Sequence, residues 1–167
     1  MTDPVVIADY DPGRPNEFER LRARALDALC DLPATVEHVG STAVPGCAAK
    51  PVVDLDVVVE TESDLAEAIR RLAPAGYRHQ GDLGVPGREA FAWPAGEQRH
   101  HLYVVVAGNP AHRRHLALRD YLRAHPDDAR AYGELKRELA GRFGTDRVAY
   151  TEAKTPFIER LLPSVRL

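Results

Sequence analysis

The sequence predicts an α+β fold: a small mixed β-sheet flanked by helices, followed by a helical C-terminal part. Three observations carry this reading. Short apolar runs of strand length, Val57-Val58-Val59 and Val104 to Ala107, fall in the first two thirds of the chain. Helical-period apolar patterns alternate with them. Beyond Asn109 only the helical period remains. With 167 residues, the chain is expected to form a single domain over 1–167, large enough to hold a core without disulfide or metal.

After a short extended arm, Asp11-Pro12-Gly13-Arg14-Pro15 reads as a turn. Asn16 is the expected N-cap of a helix over 16–31, with Glu19 three residues on and Phe18, Leu21, Ala25, Leu26 and Leu29 on its apolar face. Val36–Val39 is a short strand and Pro51–Glu60 the strongest one. Ser63 is the expected cap of a second helix carrying Leu65, Ala68, Ile69 and Leu72, stopped by Pro74 and Gly76. Strands are expected at Tyr77–Gln80, Ala90–Trp93 and His100–Val106. Pro110 suits the first helical position, and Pro126 opens a further helix with Ala129, Tyr132, Leu135 and Leu139 as its stripe. A last helix carries Phe157, Ile158, Leu161 and Leu162, starting at Thr151 or at Thr155-Pro156, since proline fits poorly beyond a first turn.

Charge narrows the function classes. Lys and Arg total 22, Asp and Glu 25, a formal balance of −3. That argues against a nucleic-acid partner and against a basic membrane-surface protein. No apolar run approaches the roughly 18 residues that span a bilayer. The first residues lack a basic, then apolar, export signal, so a cytoplasmic location is expected. Cys30 and Cys47 form no paired motif and read as buried thiols in a reducing compartment. Residues 1–109 hold 10 basic and 17 acidic groups, residues 110–167 hold 12 and 8. The basic third either faces an anionic ligand or is an Arg-rich helical surface.

The most informative residues are Asp54 and Asp56. On a strand, positions i and i+2 share a face, so two carboxylates repel unless something neutralises them. A divalent cation does so, Mg²⁺ being held by one or two carboxylates plus substrate phosphates. A solvated acidic face is the plainer alternative. Upstream, Gly40-Ser41-Thr42 leaves a strand, and Asp54 follows Ser41 by 13 residues. Such a turn can offer backbone N–H groups to an anion, with hydroxyls beside them and no Cβ at the glycine. The Walker pattern is missing. His38 precedes the turn and suits a phosphate, or a purely structural role. Lys50 is placed to neutralise phosphate, or is a solvated loop lysine. Arg119 and Arg123 share a helix face, facing an anion or forming a network with Asp120, Glu134 or Glu138; Lys154 lies in the same basic part.

An apolar residue, Gly-Ser, a spacer and Asp-x-Asp resembles the signature of the polymerase β-like nucleotidyltransferase superfamily. A closer match follows. Glu37 to Gly46, Ala49 to Asp54, His101 to Val105, Arg119 to Arg123, Tyr132 to Lys136 and Tyr150 to Thr155 resemble the hallmarks of the GrpB family, over roughly 5–162. The resemblance implies a nucleotidyltransferase-like fold. It further implies a turn (Gly40, Ser41) holding nucleotide triphosphate and acids (Asp54, Asp56) holding Mg²⁺. Similar domains occur fused to dephospho-CoA kinase, which points to nucleotide or coenzyme ligands.

The chain departs from that pattern at the strand 100–106. It carries no third acid, and Tyr103 stands where the family has a second histidine. His101 is therefore the candidate third metal ligand, which also admits Mn²⁺ or Zn²⁺, or else a hydrogen-bonded partner of Asp54 or Asp56 with no metal. Asp82 and Glu89 are fallback acids. The expected function is metal-dependent transfer of a nucleoside monophosphate from an NTP to a small-molecule or protein acceptor. The competing expectation is a non-catalytic module binding a nucleotide or coenzyme A-type ligand.

Overall fold

A computed structural model describes residues 3–163. The elements run α1 (Arg14–Leu29), β1 (Ala34–Val39), a 3₁₀ turn (Ser41–Ala43), β2 (Val53–Val59), α2 (Glu62–Leu72), β3 (Arg78–His79), β4 (Glu89–Ala92), β5 (His100–Val106), α3 (Pro110–Ala124), α4 (Pro126–Phe143) and α5 (Arg147–Leu161). The chain divides into two compact units. One comprises residues 13–39 and 52–113; the other comprises the segments 3–12, 40–51 and 114–163.

The first unit is a five-stranded mixed sheet in the order β1-β2-β5-β4-β3. Only β2 and β5 pair in parallel; the other pairs are antiparallel. One sheet face is dry. Phe18, Leu21, Ala25 and Leu29 of α1 and Leu65, Ala68 and Leu72 of α2 pack on Val36, Val53, Leu55, Val57, Val59, Leu102 and Val104. The strand alternation puts odd-numbered β2 residues on this face, so Asp54 and Asp56 fall on the other.

The buried His100, on the dry face, completes a relay. Its Nδ1–H donates to the Gln98 carbonyl at 2.7 Å, so Nε2 accepts from the Tyr77 hydroxyl at 2.7 Å. Burial holds the His100 pKa below its usual 6.5, against the pull of the Gln98 carbonyl. Above 6.5 the ring is neutral in both folded and unfolded chains. As pH falls through 6.5 the unfolded chain takes the proton first, so stability drops. Urea midpoints measured from pH 7 to pH 5 should therefore fall, and fall less in His100→Gln.

The second unit holds two apolar clusters. Val44 and Cys47 pack with Leu122, Ala129 and Tyr132, flanked by Phe157 and Ile158. Val5, Leu139 and Tyr150 form the other. The N-terminal arm is tied in by the Ala8–Ala49 bridge and by Val5 N–H donating to the Gly144 carbonyl.

Three helix starts differ from the sequence reading, all by being earlier. α1 begins at Arg14 with Pro15 in its first turn, so Asn16 is helical and not a cap; proline needs no N–H there. Thr61, not Ser63, caps α2, its hydroxyl accepting from Asp64 N–H at 3.1 Å. α5 begins at Arg147, with the Asp146 side chain accepting from Ala149 N–H, and runs through Pro156. Packing of Tyr150, Phe157, Ile158 and Leu161 outweighs the lost hydrogen bond at Pro156. Cys47 is buried as expected, whereas Cys30, at the C-cap of α1 with φ +58°, is exposed.

Candidate active site

The face of the sheet opposite α1 and α2 gathers the acidic residues. Asp56 is wholly buried and Asp54 half-buried. The parallel register sets His101 of β5 beside Asp54 and Tyr103 beside Asp56. His101 Nδ1–H donates to Asp54 Oδ1 at 2.7 Å. His112, in the first turn of α3, donates from Nδ1 to Asp56 Oδ2 at 2.8 Å. An ionised carboxylate only accepts, so each imidazole spends its Nδ1–H here. The pairing with β1 adds Glu37, which lies across from Asp56 and shares its face.

Tyr103 takes the place of the expected second histidine. Burial pushes its hydroxyl up to about 12, with the Asp54 charge adding to this, Arg88 opposing and Asp56 adding a smaller push. The group therefore stays a protonated donor at neutral pH. The Arg88 guanidinium lies over the Tyr103 ring, 4.2 Å from its centroid.

Asn109 organises this end of the face. Its side-chain oxygen accepts from the N–H groups of Ala111 and His112, at 2.9 and 3.2 Å, and so caps α3. Its Nδ2 donates to the Pro86 carbonyl at 3.3 Å, tying the loop before β4 to the helix that carries His112. Gly87 has φ +74°, and a Cβ there would lie 2.6 Å from Asn109 Nδ2, so only glycine fits beneath the tie.

The other expected site residues fall in different places. His38 is buried on the dry face, its ring stacked on Phe18 at 4.7 Å, so the structure does not bring it to the aspartates. The fallback acids do not join them either. Glu89 pairs with Val104 on the dry-face register and holds His79 at 2.8 Å, and Asp82 accepts from Gly84 N–H within its own loop. Among the described residues no group of three or more His, Cys, Asp or Glu side chains is arranged to hold a metal ion.

The second unit contains the turn and the cations. Gly40 has φ +76° and opens the 3₁₀ turn Ser41–Ala43, a conformation that favours glycine. Arg123 Nε donates to the Ala43 carbonyl at 2.8 Å and so braces that turn; Arg119 Nε donates to Asp120 at 2.9 Å. The Ser41 side chain hydrogen-bonds Tyr132, whose hydroxyl burial drives far above its ordinary range. Three lysines meet two tyrosine rings. Lys136 Nζ sits 4.5 Å from the Tyr132 centroid, and Lys50 and Lys154 sit 4.8 and 4.7 Å from that of Tyr150. Lys136 is only 3% exposed and donates to Cys47 Sγ at 3.7 Å.

Sequence reasoning missed His112 and Asn109 as parts of the acidic face. The Asn109-Pro110 pair signals a helix start, which places His112 at its third position. Nothing local signals a partner 56 residues away.

The profile of the GrpB family, described as "GrpB protein", matches residues 4–164. A UPF0157 protein of Pseudomonas aeruginosa is 38% identical over 165 residues, covering 96% of this chain and 67% of that protein. A UPF0157 protein of Bacillus subtilis, YqkA, is 36% identical over 124 residues, of whose length the chain spans about a third (36%). A protein named dephospho-CoA kinase in Mycolicibacterium paratuberculosis is 28% identical over 179 residues, covering 92% of this chain and 44% of that one. Among solved structures, the conserved protein GrpB from Enterococcus faecalis superposes with a TM-score of 0.81 at 32% identity, covering 93% and 94% of the two chains. The Cid1 poly(U) polymerase, in a structure titled as MgGTP-bound, gives a TM-score of 0.59 at 14% identity, over 81% of this chain and 45% of that one, which shows a shared nucleotidyltransferase-like fold. Among the described residues no helix is long and apolar enough to cross a membrane.

Proposed function

As the chain belongs to the GrpB family, we propose that it is a metal-dependent nucleotidyltransferase acting on an NTP and a small-molecule or protein acceptor. The observation that carries this reading is the Asp54–Asp56 pair, on one face of a central strand of a nucleotidyltransferase-like fold. Two neighbouring carboxylates are hard oxygen donors suited to Mg²⁺ or Mn²⁺, whose remaining positions substrate phosphates fill. When bound, such an ion supplies Lewis-acid stabilisation of charge on the transferring phosphoryl group.

In this reading Asp54 and Asp56 hold the ion. His101 is the third donor through Nε2, its ring fixed by the hydrogen bond from Nδ1–H to Asp54. Gly40, Ser41 and Thr42 are assigned the nucleotide phosphates, with Lys50, Lys154, Arg119 and Arg123 as supporting cations and Arg123 bracing the turn. His38, on the dry face, is left out. The acceptor hydroxyl oxygen bonds to the α-phosphorus as the bond to the bridging oxygen breaks. Pyrophosphate leaves with that electron pair, and the hydroxyl proton passes to solvent.

A specific observation favours a second reading. Both carboxylates already hold imidazoles, and β5 contributes no acid. A nucleotide- or coenzyme-binding module without turnover fits those facts; the likeness to a dephospho-CoA kinase supports that ligand class.

One assay separates the readings. The protein is incubated with α-labelled or γ-labelled NTP, Mg²⁺ or Mn²⁺, and cell extract as the source of acceptor. Transfer of the α label with release of pyrophosphate is the expected result. Movement of the γ label alone makes the protein a kinase or phosphatase. Clear nucleotide binding with neither label moving selects the binding module.

A further inference from the structure

We propose that Arg88, stacked on Tyr103, is the anchor for an oxyanion group, phosphate or carboxylate, on the acceptor molecule. This rests on the nucleotidyltransferase reading for the word acceptor, but the anion site stands on its own geometry.

Arg88 is half-buried, and its Nε is enclosed without a hydrogen-bond partner. Among the described residues no carboxylate pairs with its guanidinium; its contact is the face of Tyr103 at 4.2 Å. Arg24 binds Glu97 and Arg71 binds Glu67 and Asp31, whereas Arg99, 5.5 Å from the Trp93 ring centroid, is a second arginine of this unit with an enclosed Nε lacking a hydrogen-bond partner; Arg88 differs from it in standing beside the aspartate-bearing face. A planar guanidinium on an aromatic face keeps its N–H edge for a planar or tetrahedral oxyanion.

The position is built. Asn109 ties the preceding loop to α3, and Gly87 leaves no room for a side chain at the tie.

Across the face run β1, then β2 with the aspartates, then β5 with Tyr103, then β4, which Arg88 precedes, so Arg88 lies on the side of the aspartates away from β1.

The test uses ¹⁵N-labelled full chain and reads the arginine Nε–H signals, with Arg88→Ala identifying that of Arg88. Inorganic phosphate and acetate are titrated separately at constant ionic strength, without and then with Mg²⁺ and a non-hydrolysable NTP. The expected result is a saturating shift of the Arg88 signal that the nucleotide leaves unchanged. In Arg88→Ala the phosphate response of the Tyr103 amide should weaken by about tenfold or more, with partial recovery in Arg88→Lys. A stronger answer to phosphate points to a phosphorylated acceptor, a stronger answer to acetate to a carboxylate. No shift with either anion overturns the site. Loss of the shift when nucleotide binds overturns its assignment to the acceptor. If metal and nucleotide fail to stabilise the wild type while Arg88 still answers phosphate, the nucleotidyltransferase reading falls and the anion site remains.

Discussion

Asp56→Asn should abolish the joint stabilisation of the protein by divalent metal and NTP while leaving the metal-free fold intact. A ligand at about 100 times its Kd adds about 2.7 kcal/mol. For a chain of this size that raises Tm by about 5–11 °C. Wild type should show this rise only with Mg²⁺ or Mn²⁺ and NTP together, because phosphates complete the ion's shell. An amide is a poor metal ligand, yet its oxygen still accepts from His112 Nδ1–H, so the unliganded variant should stay within about 1 kcal/mol of wild type. Differential scanning fluorimetry measures both quantities. A full ligand-induced rise in the variant would mean that nucleotide binds elsewhere on the chain.

His112→Ala should be the more damaging change to the fold itself. It strips the imidazole from a carboxylate that is wholly enclosed. Removing one member of a buried pair leaves the other charge less well compensated, at a cost of about 3 kcal/mol. Urea denaturation should show that loss, and a Tm lower by roughly 6–12 °C. Asp56→Ala combined with His112→Ala should cost less than the two single changes added together, because the enclosed charge is gone as well. Strict additivity would show that the pair carries no coupling.

Much of this architecture could be read from the chain because β2 and β5 alternate cleanly. Apolar residues at every second position fixed which face is dry, and the same alternation placed Asp54 and Asp56 together on the other. Helix starts were harder, since Asn16, Ser63 and Thr151 are all plausible caps, while the caps used are Gly13, Thr61 and Asp146. The face of His38 turned on its register against Leu55, which a six-residue strand does not announce. His101 could be set with the aspartates from the strand pattern, whereas His112 was illegible as their partner, since it arrives from 56 residues away on the first turn of a helix. From sequence Arg88, like Arg99, could be put only at the edge of the cleft; the Asn109 tie and the Tyr103 ring give it a fixed place.

The parallel pairing of β2 with β5 has a consequence for the order of folding. A β1–β2 hairpin closes over a short stretch of chain, whereas β5 reaches β2 only after α2, β3 and β4 have been looped back. Contacts between such distant segments are slow to form, because loop-closure entropy is spent before they return any stabilisation. Asp54 and Asp56 lie on β2 from the outset, but His101 and Tyr103 arrive only with β5, and His112 only with the helix that follows it. A nascent or partly refolded chain therefore carries two adjacent carboxylates with no imidazole on either. The complete polar face comes into being with the last strand to dock, so competence to bind should track the slow phase of refolding rather than the early collapse.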